Sequence, residues 1–191
     1  MDNKALALAS SFIAMSLIVI SYFVRKKEKY LLFQLLGILF LIASYFFSVD
    51  WLAMIGMIVG ACRTVTFFLY ERKGDKASIL WAFLFSFLSL ASFFIINAKT
   101  GAGVKVEDIL LLISLIGYAF IFRVRSLKVV RFTMFVPLSL SVLYNILAAA
   151  PLFTVLSYSF ELGANIVSVF KYHVFGKKEK TPSAAKEVNY G

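Results

Sequence analysis

Apolar residues run almost unbroken along this chain, and short polar stretches divide them into runs at about 5–24, 30–49, 51–70, 77–98, 107–122, 132–150 and 152–170. About 20 apolar residues in a helix rising 1.5 Å per residue match the roughly 30 Å hydrocarbon core of a bilayer. Lipid offers no partner for an open strand edge, so helices are the expected form. A barrel would need alternating polarity, which a stretch such as Leu17-Ile18-Val19-Ile20 lacks. The pattern predicts an all-α integral membrane protein with seven transmembrane helices. The fifth run is the short one. Its clean apolar part, Ile109 to Phe122, covers only about 21 Å, so it must borrow from Gly103 to Asp108 or cross a thinned region.

Composition agrees. Of 191 residues, 61% are hydrophobic and 16% charged, against about 25% charged in soluble domains. Seven spans leave no room for an extramembrane domain. The first run is long, no small-residue cleavage site follows it, and it is read as a retained span and not a signal peptide. Cys62 is the single cysteine and His173 the single histidine. That excludes an intrachain disulfide and a cysteine-based zinc site, and no metal or cofactor is expected.

The net charge of +10 is unevenly placed. Arg25, Lys26, Lys27 and Lys29 follow run one; Arg72, Lys73 and Lys76 follow run three; Arg123, Arg125, Lys128 and Arg131 follow run five; Lys171, Lys177, Lys178, Lys180 and Lys186 follow run seven. The other side receives only Lys4, Lys99 and Lys105. The tight connections Ser48 to Asp50 and Ala148 to Pro151 carry no Lys or Arg. By the positive-inside rule the N-terminus lies outside and the C-terminus in the cytoplasm. The charge then serves orientation and contact with anionic lipid headgroups, and no basic motif suggests nucleic acid. Residues 174–191 are basic, lack apolar periodicity and are expected to form a disordered cytoplasmic tail.

Runs one to three and five to seven can be superimposed as parallel repeats. Ser16-Leu17-Ile18 followed by Arg25 matches Ser114-Leu115-Ile116 followed by Arg123; Ser44-Tyr45 falls where Val142-Leu143-Tyr144 falls; Gly60-Ala61-Cys62 aligns with Gly163-Ala164-Asn165, and Phe67 with Phe170. Three helices would invert the second half unless one helix separated them, and run four is that helix. The expected organisation is a first three-helix unit at 1–70, a linker helix with its loops at 71–104, a second unit at 105–173 and the tail at 174–191. Such units can meet within one chain or between chains, which leaves a homo-oligomer open.

This 3+1+3 plan resembles the SWEET and PQ-loop superfamily. The sequence itself looks like the YgjV family of small bacterial inner-membrane proteins, through Ala61-Cys62-Arg63-Thr64, Gly163-Ala164-Asn165-Ile166 and the tail string Lys180-Thr181-Pro182-Ser183-Ala184. The family resemblance implies fold and location in the bacterial cytoplasmic membrane. The superfamily implies passage of sugars or other small solutes between two three-helix units. The chain departs from it in having no Pro-Gln dipeptide and only Pro137 well inside a span.

Run seven carries the sharpest polar pattern. Thr154, Ser157, Glu161, Asn165 and Ser168 recur at helical spacing on one face. Such a stripe faces either a water-filled path or neighbouring helices that use it as hydrogen-bonding glue. In run three, Arg63 sits deep beside Cys62 and Thr64, one turn after Gly56 and Gly60, whose GxxxG spacing is most simply a close-packing face. Its snorkelling alternative must bridge about 10 Å to Tyr70. Gln34, Gly37, Ser44 and Ser48 in run two and Ser141 and Asn145 in run six form weaker polar faces, while Trp51 and Trp81 stand at span ends.

No HExxH, GxSxG or Walker loop occurs, and no enzyme is expected. The expected function is passage of a small polar or anionic solute through a central cavity lined by Arg63, Thr64, Ser157, Glu161, Asn165, Asn145, Gln34 and Ser44. A non-transporting scaffold with a basic lipid-binding tail is the alternative. Arg63 and Glu161 lie at similar depth, within roughly 5 Å along the axis. A lone charge there costs at least about 2.5 kcal/mol, which favours an ion pair between them. Azimuth opposes the pair, since Glu161 aligns with Ile58, and the five residues from there to Arg63 turn a helix by about 140°. Unpaired, Arg63 becomes the natural anion site and Glu161 a candidate proton carrier.

Overall fold

The computed structural model describes residues 3–49, 51–101, 103–148 and 152–174. All regular elements among them are helices: α1 (Asn3–Ser21), α2 (Lys27–Phe47), α3 (Trp51–Lys73), α4 (Ile79–Thr100), α5 (Asp108–Arg123), α6 (Leu127–Thr133), α7 (Phe135–Leu147) and α8 (Leu152–Val169), with a π-helical turn at Phe170–Val174. α6 and α7 form one rod, because the Met134 N–H still bonds the Val130 carbonyl and the Leu138 N–H bonds Met134. The irregularity sits one turn before Pro137, which has no N–H to give the preceding turn. Counted this way there are seven helices, of which α1, α2, α3, α4 and the α6–α7 rod are long and apolar enough to cross a membrane.

Helix ends follow local chemistry. α4 starts after Ser78, whose hydroxyl accepts the Leu80 N–H at 3.3 Å, and stops at Gly101, whose φ of 64° suits a residue without a Cβ. α6 starts after Ser126, which accepts the Val129 N–H. That start lies five residues ahead of the apolar run, so Lys128 and Arg131 are helical and not loop residues. α5 begins only at Asp108, whose carboxylate accepts the Lys105 N–H at 2.8 Å. The segment 103–107 therefore lends the fifth run no helix, and α5 keeps 16 residues, about 24 Å. The Trp51 side chain, Asp50, Pro151 and residues 175–191 of the tail lie outside the described residues.

Each rod packs on its sequence neighbours and α8 returns to α1, closing a ring. Phenylalanines and leucines on the outer faces, such as Phe12, Leu80, Phe83 and Phe87, stay exposed, as lipid contact requires. The inner core clusters at one end, where the basic loops lie: Tyr22, Tyr30, Phe67, Phe85, Phe122, Met134 and Leu138 are buried together. At that end cations hold the rods. Lys27 pairs with Glu71 at 2.9 Å, Arg123 Nε bonds the Ala77 carbonyl at 2.9 Å, and Arg125 bonds the Gly74 carbonyl. Several charges expected to face headgroups are thus structural, while Lys26, Lys29, Arg72, Lys73 and Lys76 stay exposed.

α1 and α2 approach most closely at Gly37. A Cβ there would lie 2.6 Å from Ile18 Cγ1 and 3.2 Å from the Ala14 carbonyl. Gly37→Ala is expected to lower the melting temperature in detergent, because overpacking costs about 1–3 kcal/mol while helix propensity returns only about 1 kcal/mol. A raised melting temperature would show that α1 yields freely.

Burial recurs along the chain at a separation of 100 residues. Positions 30, 31, 34, 37 and 38 are buried, as are 130, 131, 134, 137 and 138. The helices that follow the two basic loops start at the same separation, α2 at Lys27 and α6 at Leu127. α2 ends with the Ser48 N–H on Ser44, α7 with the Ala148 N–H on Tyr144. The sequence anchors had implied other registers, with Arg25 opposite Arg123; here Arg25 stands opposite Arg125. Residue identities among apolar helices match too easily to fix register, whereas which side faces inward is set by packing.

Candidate functional site

Between the packed basic-loop end and the opposite hairpin end, the rods part around a cavity of about 330 Å³. That is within the size range of small-ligand sites and room for about ten waters. α1 contributes Ser11 and Met15, α2 contributes Gln34 and Ser44, α3 contributes Gly56, Gly60 and Arg63, and across from them stand Tyr118 of α5 and Thr154, Ser157, Tyr158 and Glu161 of α8. The cavity reaches Ser48, which is exposed at the α2–α3 hairpin.

Of the eight residues expected to line it, Arg63, Ser157, Glu161, Gln34 and Ser44 do so. The other three are packing residues. Thr64 turns its hydroxyl back to the Gly60 carbonyl at 2.8 Å. Asn145 gives its amide to the Ser141 carbonyl at 2.7 Å. Asn165, fully buried, donates to the Arg131 carbonyl at 2.9 Å. The polar stripe of α8 therefore divides: Thr154, Ser157 and Glu161 face the cavity, while Asn165 and Ser168 are buried, Ser168 bonding the Asn165 carbonyl at 2.8 Å. Among the described residues, Asn165 alone of the buried half bonds across to another helix, α6.

Arg63 is only 8% exposed, yet its Nε has no hydrogen-bond partner. Its guanidinium lies over two rings of α5, 5.5 Å from the centroid of Tyr118 and 5.2 Å from that of Phe122. Cation–π attraction offsets part of the desolvation cost but occupies none of the five N–H donors of an arginine. Glu161 looks elsewhere. Its Oε1 accepts the Tyr22 hydroxyl at 2.8 Å. No ion pair joins Arg63 to Glu161 among the described residues, although both line the same cavity. The physical reason is azimuth: Arg63 is drawn toward α5 and Glu161 toward α1.

Gly56 and Gly60 do not pack a helix. A Cβ on Gly56 would meet nothing within 4 Å, and one on Gly60 only Arg63 Nη2 at 3.9 Å. These glycines open the cavity beside the guanidinium, which corrects the close-packing reading of their spacing.

Directly below the cavity a hydrogen-bond circuit ties α1, α6 and α8. Arg131, 2% exposed, donates to the Tyr22 carbonyl at 3.0 Å and the Val24 carbonyl at 2.5 Å. It stacks 4.6 Å over Tyr172 and takes the Asn165 amide on its own carbonyl. Tyr22 closes the circuit on Glu161. His173 stands 3.5 Å from Arg131, and burial, then Arg131 and Lys128, hold its imidazole below the usual histidine range. Tyr22, Tyr118 and Tyr158 were not singled out from sequence, where they count as members of apolar runs.

Compared with protein-family models, curated proteins and solved structures, the chain has no match. Among the described residues no group of His, Cys, Asp and Glu could hold a metal.

Proposed function

We propose that this protein is a small-solute membrane transporter or facilitator whose polar or anionic solute occupies the cavity beside Arg63. One observation carries the reading: a buried guanidinium without a hydrogen-bond partner on Nε, at the wall of a cavity of about 330 Å³. A buried charge is retained against its desolvation cost where it has work to do, and an arginine fork suits carboxylate or phosphate. The solute would pass between two parallel three-helix units, helices α1–α3 and α5–α8, with α4 as linker. The recurrence of buried positions at a separation of 100 residues supports that division. The grouping of basic residues supports a cytoplasmic basic-loop end, a cavity open toward the outside and residence in the bacterial cytoplasmic membrane, in the manner of SWEET-like carriers.

The competing reading is a scaffold or regulator that moves nothing and binds anionic lipid through its exposed lysines. The packed seam around Arg131 is the observation in its favour. Uptake separates the two. Proteoliposomes are tested with labelled monocarboxylates, inorganic phosphate, sugars and amino acids. At least one solute is expected to enter wild-type vesicles and to enter Arg63→Gln vesicles about ten times more slowly. Uptake of none by folded protein would leave the scaffold.

A further inference from the structure

The cavity is lined by one guanidinium and one carboxyl group, which form no ion pair with each other among the described residues. Among the side chains lining it, Arg63 and Glu161 carry the formal charges; the others are apolar, hydroxyl, amide, thioether or aromatic. Arg63 keeps donors to spare, because its contacts on α5 are ring faces. Glu161 uses one oxygen on Tyr22, and a carboxylate offers about four acceptor sites. A solute with only a negative charge would satisfy Arg63 but lie in the same small space as Glu161. A solute with only a positive charge would meet the converse repulsion. A neutral sugar would leave both charges without partners of their own strength.

On this basis, and resting on the transport reading, we infer that the solute is a zwitterion bearing a carboxylate and an ammonium group. Its carboxylate sits on the Arg63 fork and its ammonium faces Glu161, with Tyr158, an aromatic ring that can attract a cation, also on the cavity wall. Binding then satisfies both protein charges at once and leaves the net charge of the cavity unchanged. The serines and Gln34 complete a polar wall that an uncharged part of the solute can use.

The test uses the full-length protein in lipid nanodiscs, titrated at pH 7 by calorimetry with glycine, β-alanine and 4-aminobutyrate as zwitterions, acetate as the lone carboxylate and methylammonium as the lone cation. At least one zwitterion is expected to bind ten-fold or more tightly than either singly charged probe, and the three zwitterions rank the charge separation the cavity prefers. Arg63→Gln should reduce that zwitterion to the level of methylammonium, and Glu161→Gln to the level of acetate. If either variant does not fold, Arg63→Lys and Glu161→Asp should each weaken zwitterion binding, and the wild-type ranking stands without any variant. Acetate binding as tightly as every zwitterion, unmoved by Glu161→Gln, would overturn the zwitterion while keeping an anion carrier. A sugar or phosphate taken up with no zwitterion bound would also overturn it, and uptake of nothing at all would overturn the transport reading beneath it.

Discussion

Arg131→Ala is expected to lower stability by about 3–5 kcal/mol, more than any other single truncation at the basic-loop end. Two carbonyls beyond the last turn of α1, those of Tyr22 and Val24, depend on this guanidinium. Helix C-terminal carbonyls lack intrahelical donors and carry partial negative charge, so a buried cation suits them. Leaving a buried acceptor unpaired costs about 1–3 kcal/mol, and here two are stranded while the stacking on Tyr172 is lost as well. The salt bridge of Lys27 with Glu71, which is 22% exposed, is expected to matter far less, since partly exposed pairs contribute about 0–1 kcal/mol. Thermal unfolding in detergent measures the effect, with a fall of roughly 10 °C expected for a chain of this size. Arg131→Lys should recover part of it, because lysine keeps the charge but cannot span two carbonyls with a planar fork. An unchanged melting temperature for Arg131→Ala would show that water satisfies these carbonyls and that the circuit holds nothing.

What was legible in the sequence, and what was not, divides along one physical line. Helices could be placed because lipid permits little else, and boundaries such as the one after Phe47 follow from turn chemistry within a few residues. Arg63 and Glu161 stood out because a charge in an apolar run is costly wherever the run packs. Their partners did not. The ion pair was argued from depth and the cost of a lone charge, against an azimuth that opposed it; the direction each side chain takes depends on which helix stands next to it, and only the ring closing α8 against α1 puts Tyr22 within reach of Glu161. Arg131 was read as a loop charge since the apolar run begins after it, and nothing in its local sequence connects it to carbonyls 107 and 109 positions earlier. Tyrosines vanish into hydropathy, being apolar enough to count as core. The GxxxG spacing of Gly56 and Gly60 failed for a different reason: the same absence of side chains that lets two helices touch also leaves space where they stand apart, and the sequence of one helix does not say which.

That ambiguity gives Gly60 the most decisive substitution in the molecule, because the two readings of it predict opposite signs. If Gly60 packed against a neighbouring helix, Gly60→Leu would overfill the contact and cost about 1–3 kcal/mol. In this structure a Cβ on Gly60 meets nothing but Arg63 Nη2, at 3.9 Å. Leucine should then fold as well as glycine or better, since it gains up to about 1 kcal/mol of helix propensity. Its side chain would enter the cavity beside the guanidinium. Access is read without knowing the solute: Cys62, the single cysteine, is first replaced by alanine, and Ser157, which lines the cavity, by cysteine. A small charged thiol reagent added from the hairpin side should label Ser157→Cys readily. Adding Gly60→Leu should slow that labelling at least ten-fold and abolish any uptake, with melting temperature unchanged or raised. Gly163→Leu is the control, because a Cβ there also meets nothing within 4 Å while the position does not line the cavity; labelling should proceed as before. A lower melting temperature for Gly60→Leu with labelling untouched would return Gly60 to helix packing and place the open space around Arg63 in error.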